Sequence, residues 1–469
     1  SDSDFETKTA AQTLTATLSA ALASDDVLEV SVDAGSSWAT KTSDVTTTSL
    51  STSITLSGTS AIHIRITDDA GNVGTADTTS YVLDTTAPTI SYSSVDISAD
   101  TGTSDSDFET KTASQTLTAT LSAAMESDDV LEVSVDAGSS WTTKTSDVTT
   151  TSLSTSITLS GTSAIHIRIT DDAGNVGTAT TQAYTLDTTA PTMTIASGTV
   201  TSGDTSNDAT IALTFTSSES TTGFAAGDVT VSAGTISSFA GSGASYSATF
   251  TPSSDATFTI SVAASAYADT AGNNNAVSNT FTWTYDSTAL TITIASTTSG
   301  VTSGSTTNDA SIAVTFTTSE STTGFAADDV TVSGGTLSSF AGSGTDYTAT
   351  FTPSADGATT IDVASGKFTD SAGNSNTAAT QFTWTYDGTA PTVAITSSES
   401  NPSTGSTFDV TITFSETTTN FVNSDITVGG GSSSLSGSGA TYTATITPSA
   451  DGTVTVDVAA GKATDAVGN

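Results

Sequence analysis

The chain has 469 residues, of which 49 are acidic and 8 are basic, and its net charge is −41. This charge argues against nucleic acid or an anionic membrane as a partner, and it favours bound cations or a salty environment. Without cysteine the domains must fold without disulfides, and since no apolar run approaches the ~18 residues of a membrane span, no membrane insertion is expected.

The sequence is a tandem array of repeats. Residues 24–38 recur as 127–141 and residues 40–76 recur as 143–179, which defines repeat type A. A second type, B, follows at a similar pitch. Aspartates at the unit boundaries lie about 100 residues apart, the size of one independently folding domain. We predict five units: type A at 1–87 and 88–190, and type B at 191–289, 290–390 and 391–469.

Both ends of the chain fall inside a repeat. Ser1–Phe5 matches Ser104–Phe108, and Gly468-Asn469 matches Gly373-Asn374, so unit 5 lacks the closing strand equivalent to residues 381–387. We expect the chain to be a window from a longer protein. The alternative is that the two end units are degenerate caps of the array.

Every unit is predicted to consist of short β-strands. Apolar residues alternate with Thr, Ser or charged residues, which indicates strands with one buried face. About seven such strands per hundred residues predict an all-β, two-sheet sandwich. Trp283 and Trp384 fall in final strands and are expected in the core. In chain order the clearest strand segments are Ala61–Ile66, Thr210–Phe215, Asp228–Val231, Tyr246–Phe250, Thr257–Val262 and Phe281–Tyr285.

The type B sequence is similar to a known family. Residues 218–243 (SESTTGFAAGDVTVSAGTISSFAGSG) and the later DTAGN at 269–273 resemble the bacterial immunoglobulin-like repeats of giant surface adhesins, the biofilm-associated and repeats-in-toxin-type adhesins of Gram-negative bacteria. Type A resembles a sister repeat of the same proteins. The resemblance implies a tandem array of five immunoglobulin-like (Ig-like) β-sandwich domains in an extended, calcium-stiffened rod, secreted and held outside the cell at its surface.

Topology predicts where the acidic residues meet. In an Ig-like sandwich, the loops after the second strand and before the last strand lie at the pole where the chain enters the domain. We therefore expect quartets of carboxylates at the boundaries of the type B units. They are Asp187, Glu219, Asp228 and Asp269 for unit 3, Asp286, Glu320, Asp329 and Asp370 for unit 4, and Asp387, Glu416, Asp425 and Asp465 for unit 5.

Calcium is the cofactor that these quartets favour, because it takes ~6–8 oxygen ligands in flexible geometry and the chain offers no thiolate for zinc. The alternative is that each Asp only forms a turn or keeps a linker soluble. For unit 2 the predicted ligands are Asp84, Asp129 and Asp171. Glu126 could replace the missing Glu, and Asp100, Asp105 and Asp107 could supply further ligands near the Asp84 junction.

Catalytic residues are not predicted. His63 and His166 occupy equivalent strand positions without a second catalytic group, so an outward-facing cross-strand role is expected for both. The sequence has no nucleophile elbow, phosphate loop or HExxH motif. We therefore expect a protein that is not an enzyme.

The function predicted from the sequence is mechanical. The chain would be a spacer whose partners are calcium ions and neighbouring repeats, with host or surface ligands bound by domains outside this window. An alternative is a surface layer, sheath or filament that assembles by lateral contacts between rods. A third hypothesis is an enzyme accessory or carbohydrate-binding module.

Overall fold

A computed structural model describes residues 5–469, so the first four residues of unit 1 lie outside the described part. Within that range the regular structure is β-strand, interrupted by short 3-10 turns. None of the described residues forms a helix long and apolar enough to cross a membrane. The 3-10 turns are Thr42–Asp44, Thr145–Asp147, Ala226–Asp228, Ala327–Asp329 and Asn423–Asp425.

Units 1 and 2 are each built from two facing sheets. In unit 1 the sheets have the strand orders β1-β8-β7-β3-β4 and β2-β6-β5, and in unit 2 they are β10-β17-β16-β12-β13 and β14-β15-β11-β9. The strands of unit 1 are β1 (Glu6–Thr7), β2 (Ala11–Thr17), β3 (Val27–Ser31), β4 (Ala39–Thr40), β5 (Val45–Thr46), β6 (Ser49–Thr55), β7 (Thr59–Thr67) and β8 (Asp77–Leu83). Those of unit 2 are β9 (Tyr92–Ile97), β10 (Glu109–Thr110), β11 (Ser114–Leu121), β12 (Val130–Ser134), β13 (Thr142–Thr143), β14 (Val148–Thr149), β15 (Ser152–Thr158), β16 (Thr162–Thr170) and β17 (Thr180–Leu186).

Unit 3 has two four-stranded sheets, β18-β20-β24-β23 and β19-β27-β25-β22, and a short ribbon of β21 and β26. The short strand β19 pairs in parallel with the last strand β27, whereas the other pairs in the unit are antiparallel. The strands are β18 (Met193–Ser197), β19 (Thr205–Ser206), β20 (Ile211–Ser217), β21 (Thr221–Thr222), β22 (Val229–Val231), β23 (Thr235–Ser242), β24 (Ser245–Thr251), β25 (Ala256–Val262), β26 (Ala268–Asp269) and β27 (Phe281–Tyr285).

Unit 4 repeats this arrangement in the sheets β28-β30-β33-β32 and β29-β35-β34-β31, and unit 5 has the sheets β36-β37-β39 and β38-β40. The strands of unit 4 are β28 (Ile292–Ser296), β29 (Thr306–Thr307), β30 (Ile312–Thr318), β31 (Val330–Ser333), β32 (Gly335–Ser343), β33 (Asp346–Pro353), β34 (Gly357–Val363) and β35 (Phe382–Tyr386). Those of unit 5 are β36 (Val393–Ser397), β37 (Phe408–Thr418), β38 (Ile426–Gly429), β39 (Gly431–Pro448) and β40 (Thr455–Val458).

Each unit has its own hydrophobic core, since none of the clusters of buried apolar residues mixes side chains from two units. The alternation in β20 shows why the sequence folds this way: Ile211, Leu213 and Phe215 are at most 1% exposed, and the residues between them face solvent. Trp283 and Trp384 are 0% and 2% exposed, which confirms their predicted core positions. The chain is a tandem array of Ig-like β-sandwiches, as predicted.

Candidate metal centre

An acidic triad lies at the boundary between units 2 and 3. It consists of Asp187 in the linker, Glu219 after β20 and Asp269 in β26, and one carboxylate oxygen of each lies within 4.8 Å of the others. Asp269 is 1% exposed, whereas Asp187 and Glu219 are half-buried. Carboxylates this close repel one another unless a cation or a proton neutralises part of the charge. The triad therefore has the composition and spacing of a cation site.

The turn from Asp269 to Asn273 holds the Asp269 carboxylate of this triad in place. Asp269 Oδ1 accepts a hydrogen bond from the Asn273 backbone N–H (2.7 Å), and Asp269 Oδ2 accepts one from Asn273 Nδ2 (2.9 Å). The same Nδ2 donates to the carbonyl oxygen of Asp187 at 2.9 Å. Asn273 thus joins the turn of unit 3 to the linker that arrives from unit 2. Sequence reasoning gave this Asn no role, although an Asn four residues after the Asp recurs in every unit.

The same triad recurs at the next two boundaries. Asn374 Nδ2 donates to the carbonyl oxygen of Asp286 at 2.9 Å, and Asn469 Nδ2 donates to that of Asp387 at 2.7 Å. In each triad, one carboxylate comes from the linker and the other two come from the following unit, so the site connects two folded bodies. The members are Asp286, Glu320 and Asp370 at the boundary of units 3 and 4, and Asp387, Glu416 and Asp465 at the boundary of units 4 and 5.

The repulsion within each triad helps to raise the pKa of its Glu. Burial, followed by the negative charges of the two Asp members, raises the pKa of Glu219 and Glu320, and the same causes raise the pKa of Glu416. Burial also opposes ionisation of Asp465, but hydrogen bonds from Asn469 and the backbone N–H groups of the turn outweigh it, so the pKa of Asp465 is lowered. Asp465 is therefore held as a carboxylate, while the Glu of each triad retains protons more readily than usual.

We expect the calcium-free protein to become more stable as the pH falls from 7 to 5. A raised pKa means that the folded state binds more protons than the unfolded state above the ordinary Glu value of 4.5, so stability falls as the pH rises through the folded pKa. Asp255 and Asp356 have lowered pKa values and bind protons only below their ordinary 3.8, outside this window. The melting temperature in calcium-free buffer between pH 5 and 7 measures the effect.

The control for this pH series is a variant with Glu219→Gln, Glu320→Gln and Glu416→Gln together. It lacks the three Glu carboxyls with raised pKa, so its melting temperature should change less than that of the wild type over the same range. The change that remains is the part due to Asp100, whose pKa is also raised. A wild-type melting temperature that falls from pH 7 to pH 5 in calcium-free buffer would contradict the predicted sign.

The donor set of the triads fits calcium. Calcium accepts carboxylate, carbonyl and water oxygens at roughly 2.3–2.6 Å in flexible geometry, whereas magnesium demands a stricter octahedron. Zinc sites usually use Cys or His, and the chain has no Cys and only 2 His, neither of them a member of a triad. The three carboxylates of each triad would hold the ion at the boundary, with carbonyl and water oxygens completing its shell.

The fourth predicted member of each quartet does not join the triads. Asp228, Asp329 and Asp425 end the 3-10 turns, and Oδ2 of each accepts a hydrogen bond from the backbone N–H three residues earlier, at 2.8, 2.9 and 3.0 Å. The structure thus gives these three residues a turn-closing contact. Their role as metal ligands stays a prediction.

The boundary between units 1 and 2 has only part of this arrangement. Asn175 Nδ2 donates to the carbonyl oxygen of Asp84 (2.9 Å) and to Asp171 Oδ2 (3.0 Å), as at the later boundaries. Within residues 5–469, however, no third acidic side chain completes a triad with Asp84 and Asp171. Asp129 accepts a bond from the backbone N–H of Glu126, whose own side chain is exposed. That Asp84, Asp129 and Asp171 bind metal remains a prediction.

The position expected for the segment from Asp100 to Asp107 is wrong. It lies against unit 3 and not near Asp84, since Thr101 Oγ1 donates to the carbonyl oxygen of Ala271 at 2.8 Å. Asp100 Oδ1 is buried and has no hydrogen-bond partner among the described residues. Burial, and then the nearby charges of Asp107, Asp96 and Asp105, raises the pKa of Asp100.

The two histidines lie in cross-strand clusters of the type A units. The His63 ring meets Trp38 edge-on at 6.2 Å between centroids, and the Arg65 guanidinium stacks on Trp38 at 3.8 Å. Arg65 Nε also donates to Glu29 Oε2 at 2.8 Å. Unit 2 has the same cluster, built from His166, Trp141, Arg168 and Glu132. These contacts give the histidines a packing role on the sheet surface.

Comparison with known sequences identifies one family. The family described as "Bacterial Ig-like domain" matches residues 187–285, 286–386 and 387–469, which together make up more than half of the chain. Each matched segment begins at the linker Asp of a triad. No curated protein matches the chain in sequence.

Three of the solved structures that match this chain have sequence identities of 14–18% to it. Invasin, described as a bacterial integrin-binding protein, is 14% identical with a TM-score of 0.32, and the match covers 79% of this chain and 76% of invasin. A Ca²⁺-stabilized adhesin, described as helping an Antarctic bacterium reach out and bind ice, is 18% identical with a TM-score of 0.28, and the match covers 82% of this chain and 96% of that adhesin. A Bacteroides ovatus protein in complex with a mixed-linkage heptasaccharide is 14% identical with a TM-score of 0.13, covering 78% of this chain and 99% of that one.

Proposed function

Because the chain belongs to the bacterial Ig-like domain family, we propose that it is a calcium-rigidified extracellular spacer of a bacterial surface adhesin. In this role the five units form a rod that holds a binding domain, located elsewhere in the protein, away from the cell. The observation that carries the proposal is the position of the acidic triads. Each lies near a proposed boundary, with one carboxylate in the linker and two in the following unit.

Calcium would stiffen the rod because the triads join bodies that have separate cores. A linker Asp such as Asp286 can move relative to Glu320 and Asp370 if only the short linker holds the units together. An ion bound by all three fixes the linker to the following unit and removes the repulsion that otherwise drives the carboxylates apart. Such a joint is rigid in calcium and flexible without it.

The length of the units suits a spacer. The longest strand in each of units 1 to 4 has eight or nine residues. At ~3.3 Å per residue and with the loops added, one unit is about 40 Å long, so five units in line would reach on the order of 200 Å. The partners in this role are calcium ions and the neighbouring repeats of the same chain. We propose unit boundaries at residues 87, 190, 289 and 390, and a location at the cell surface.

The edge strands of the type B units support a spacer over lateral assembly. In β23 the pairing with β24 is interrupted between Ser237 and Ala240, and Ser238 has a φ of 51°. The equivalent strand β32 has the same irregularity, with Ser339 at a φ of 52°. Bulges of this kind twist an edge away from a second sheet, which discourages edge-to-edge pairing between rods.

Small-angle scattering of the full chain tests the spacer model. We expect a large, narrowly defined maximum dimension in calcium and a shorter, broader distribution of distances in chelator. Asp286→Asn should give a chain that bends at one boundary even in calcium, because it removes one charge of the triad. Its side-chain oxygen can still accept the bond that Asp286 Oδ1 receives from the Thr288 N–H.

Asp451→Asn is the matched control for Asp286→Asn. Asp451 is exposed in a turn outside the triads, so its replacement removes the same charge without touching a boundary. This variant should scatter like the wild type in both conditions. A wild-type profile that chelation leaves unchanged would show that calcium at the boundaries is not the source of stiffness.

A further inference from the structure

Units 2 and 3 make direct contacts that are closer than those at the next boundary. The segment between β9 and β10 of unit 2 lies against the Asp269–Asn273 turn of unit 3. The contacts are Thr101 Oγ1 to the Ala271 carbonyl oxygen (2.8 Å), the Thr103 N–H to the Thr270 carbonyl oxygen (3.1 Å), Thr270 Oγ1 to Glu109 Oε1 (2.7 Å) and Lys111 Nζ to the Gly272 carbonyl oxygen.

Two glycines allow the backbones of the two units to approach each other. A Cβ on Gly102 would lie 2.7 Å from the carbonyl oxygen of Thr270, and a Cβ on Gly272 would lie 2.4 Å from that of Thr101. Both distances are too short for a side chain. The backbones of the two units are therefore in direct contact at these glycines. A larger residue could not be accommodated by moving a side chain, because the atoms that its Cβ would meet belong to the backbone.

The surface that unit 2 presents is already ordered within unit 2. Gln115, which is 3% exposed, receives the backbone N–H of Ala99 at its Oε1 (2.8 Å) and donates through Nε2 to the carbonyl oxygens of Ala99 (3.0 Å) and Thr112 (2.7 Å). The fully buried Thr110 also donates to the Ala99 carbonyl oxygen. Because these bonds hold the segment in place, docking unit 3 against it costs little further ordering of the chain.

The boundary between units 3 and 4 is more open. Asn207 contacts unit 4 through its backbone N–H, which donates to the Ala372 carbonyl oxygen (3.0 Å), and through Nδ2, which donates to Asn374 Oδ1 (3.2 Å). A Cβ on Gly373, the counterpart of Gly272, would lie 3.5 Å from Asn207 Oδ1, an ordinary contact distance. No backbone-to-backbone fit is required there.

We propose that units 2 and 3 dock through a direct interface that holds their relative orientation without a metal ion, and that the boundary between units 3 and 4 depends on calcium. The interface consists of Thr101–Thr103, Glu109 and Lys111 on unit 2 and Thr270–Gly272 on unit 3. Only the statement about units 3 and 4 rests on the proposed calcium function. On chelation the chain bends first beyond unit 3, while units 2 and 3 move as one body.

Distance measurements on the full chain by double electron–electron resonance test this interface. The native sequence has no Cys, so paired Cys substitutions carry the only spin labels. Ser154→Cys with Ser247→Cys reports on units 2 and 3, and Ser247→Cys with Thr348→Cys reports on units 3 and 4; these positions are exposed. In chelator we expect the first distance distribution to stay as narrow as in calcium, and the second to broaden about twofold or more.

Gly102→Ala is the decisive variant. Gly102 is outside the left-handed region, so Ala introduces no φ strain, and the nearest atom to its Cβ is the Thr270 carbonyl oxygen of the neighbouring unit, at 2.7 Å. The Glu109 carbonyl oxygen of unit 2 itself lies farther away, at 3.1 Å. In chelator this variant should broaden the distribution between units 2 and 3. Gly198→Ala is the matched control, because a Cβ there meets nothing within 4 Å. Circular dichroism melting of both variants checks that unit 2 remains folded.

Lys111→Met gives a second, milder test that does not depend on the fold tolerating Ala at residue 102. It removes the ammonium donor to Gly272. Lys41→Met is its control, because Lys41 is a half-buried lysine that donates to the Ser53 carbonyl oxygen inside unit 1 and, among the described residues, to no neighbouring unit. Lys111→Met should broaden the same distribution in chelator less than Gly102→Ala does.

The proposal is overturned if units 2 and 3 separate on chelation as readily as units 3 and 4, or if both variants leave the distance distribution between units 2 and 3 narrow. If units 3 and 4 also stay rigid in chelator while Gly102→Ala loosens units 2 and 3, the interface stands and the calcium joint fails.

Discussion

Calcium should raise the melting temperature of the type B units. Replacing the Glu of a triad by Gln should offset the loss of stability that calcium depletion causes. An ion that binds only the folded state at a hundredfold excess over its Kd stabilises by about 2.7 kcal/mol. For a domain of ~100 residues this corresponds to a rise of roughly 10–20 °C. Differential scanning calorimetry of the full chain in calcium and in chelator measures the shift.

Glu320→Gln should have opposite effects on stability when the site is empty and when it holds calcium. In chelator it should stabilise unit 4, because it removes the group whose pKa is raised by burial and by Asp286 and Asp370. In calcium the same variant should be less stable than the wild type, because a ligand charge is lost. A substitution with opposite signs in the two conditions indicates a metal site and not a turn residue.

Glu399→Gln is the control, since Glu399 is exposed and belongs to no triad. It should leave the response to calcium unchanged. Sodium at matched ionic strength should not reproduce the calcium effect, because screening alone does not join three carboxylates. Equal melting curves in calcium and in chelator would show that the triads bind no calcium and that their residues only form turns.

The strands could be predicted from the sequence because their signal is local. A period of two needs only a few residues, and every unit repeats it. The predicted segments Thr257–Val262 and Phe281–Tyr285 coincide closely with β25 and β27, and Trp283 is buried as expected. Short strands such as β19 and β26 escaped prediction because two residues carry no period and their pairing depends on distant partners.

Three members of each quartet could be placed together because topology fixes them. The linker enters at one pole of the sandwich, and the loop after β20 and the turn after β26 return to the same pole. The grouping of Asp187, Glu219 and Asp269 agrees with that argument. Asp228 follows the same topology but bonds to its own turn, and sequence position does not reveal how a carboxylate divides its oxygens between backbone N–H groups and a neighbouring site.

The sequence does not predict the position of the Asp100–Asp107 segment, because that position depends on the strand before it. β9 crosses the length of unit 2, so the loop that follows it lies at the pole away from Asp84 and faces unit 3. The glycine contact of Gly102 with unit 3 has no sequence signal at all. Contacts between units depend on their relative orientation, which a single repeat does not encode.

Removing Trp283 should strongly destabilise unit 3 and leave the stability of the other units unchanged. Trp283 is fully buried, packs against Phe250 and Phe258 at centroid distances of 6.0 and 6.2 Å, and donates through Nε1 to Ser206 Oγ at 3.1 Å. Trp283→Ala should cost about 3–5 kcal/mol, a large part of the ~5–15 kcal/mol that stabilises a domain. Calorimetry of the full chain should show one transition lowered by roughly 4–8 °C per kcal/mol.

Trp38→Ala is the matched comparison, since the same residue type is lost from a sheet surface. Trp38 is half-buried and its ring stacks with Arg65, a contact worth about 0.5–1 kcal/mol at an exposed site. We expect this variant to lower the transition of unit 1 by less than half the shift that Trp283→Ala causes in unit 3. Because the hydrophobic clusters of the two units share no residue, neither substitution should move the transition of the other. A single transition that shifts as a whole in both variants would mean that the units melt together, and the array would then be one cooperative body with its stiffness built into direct packing.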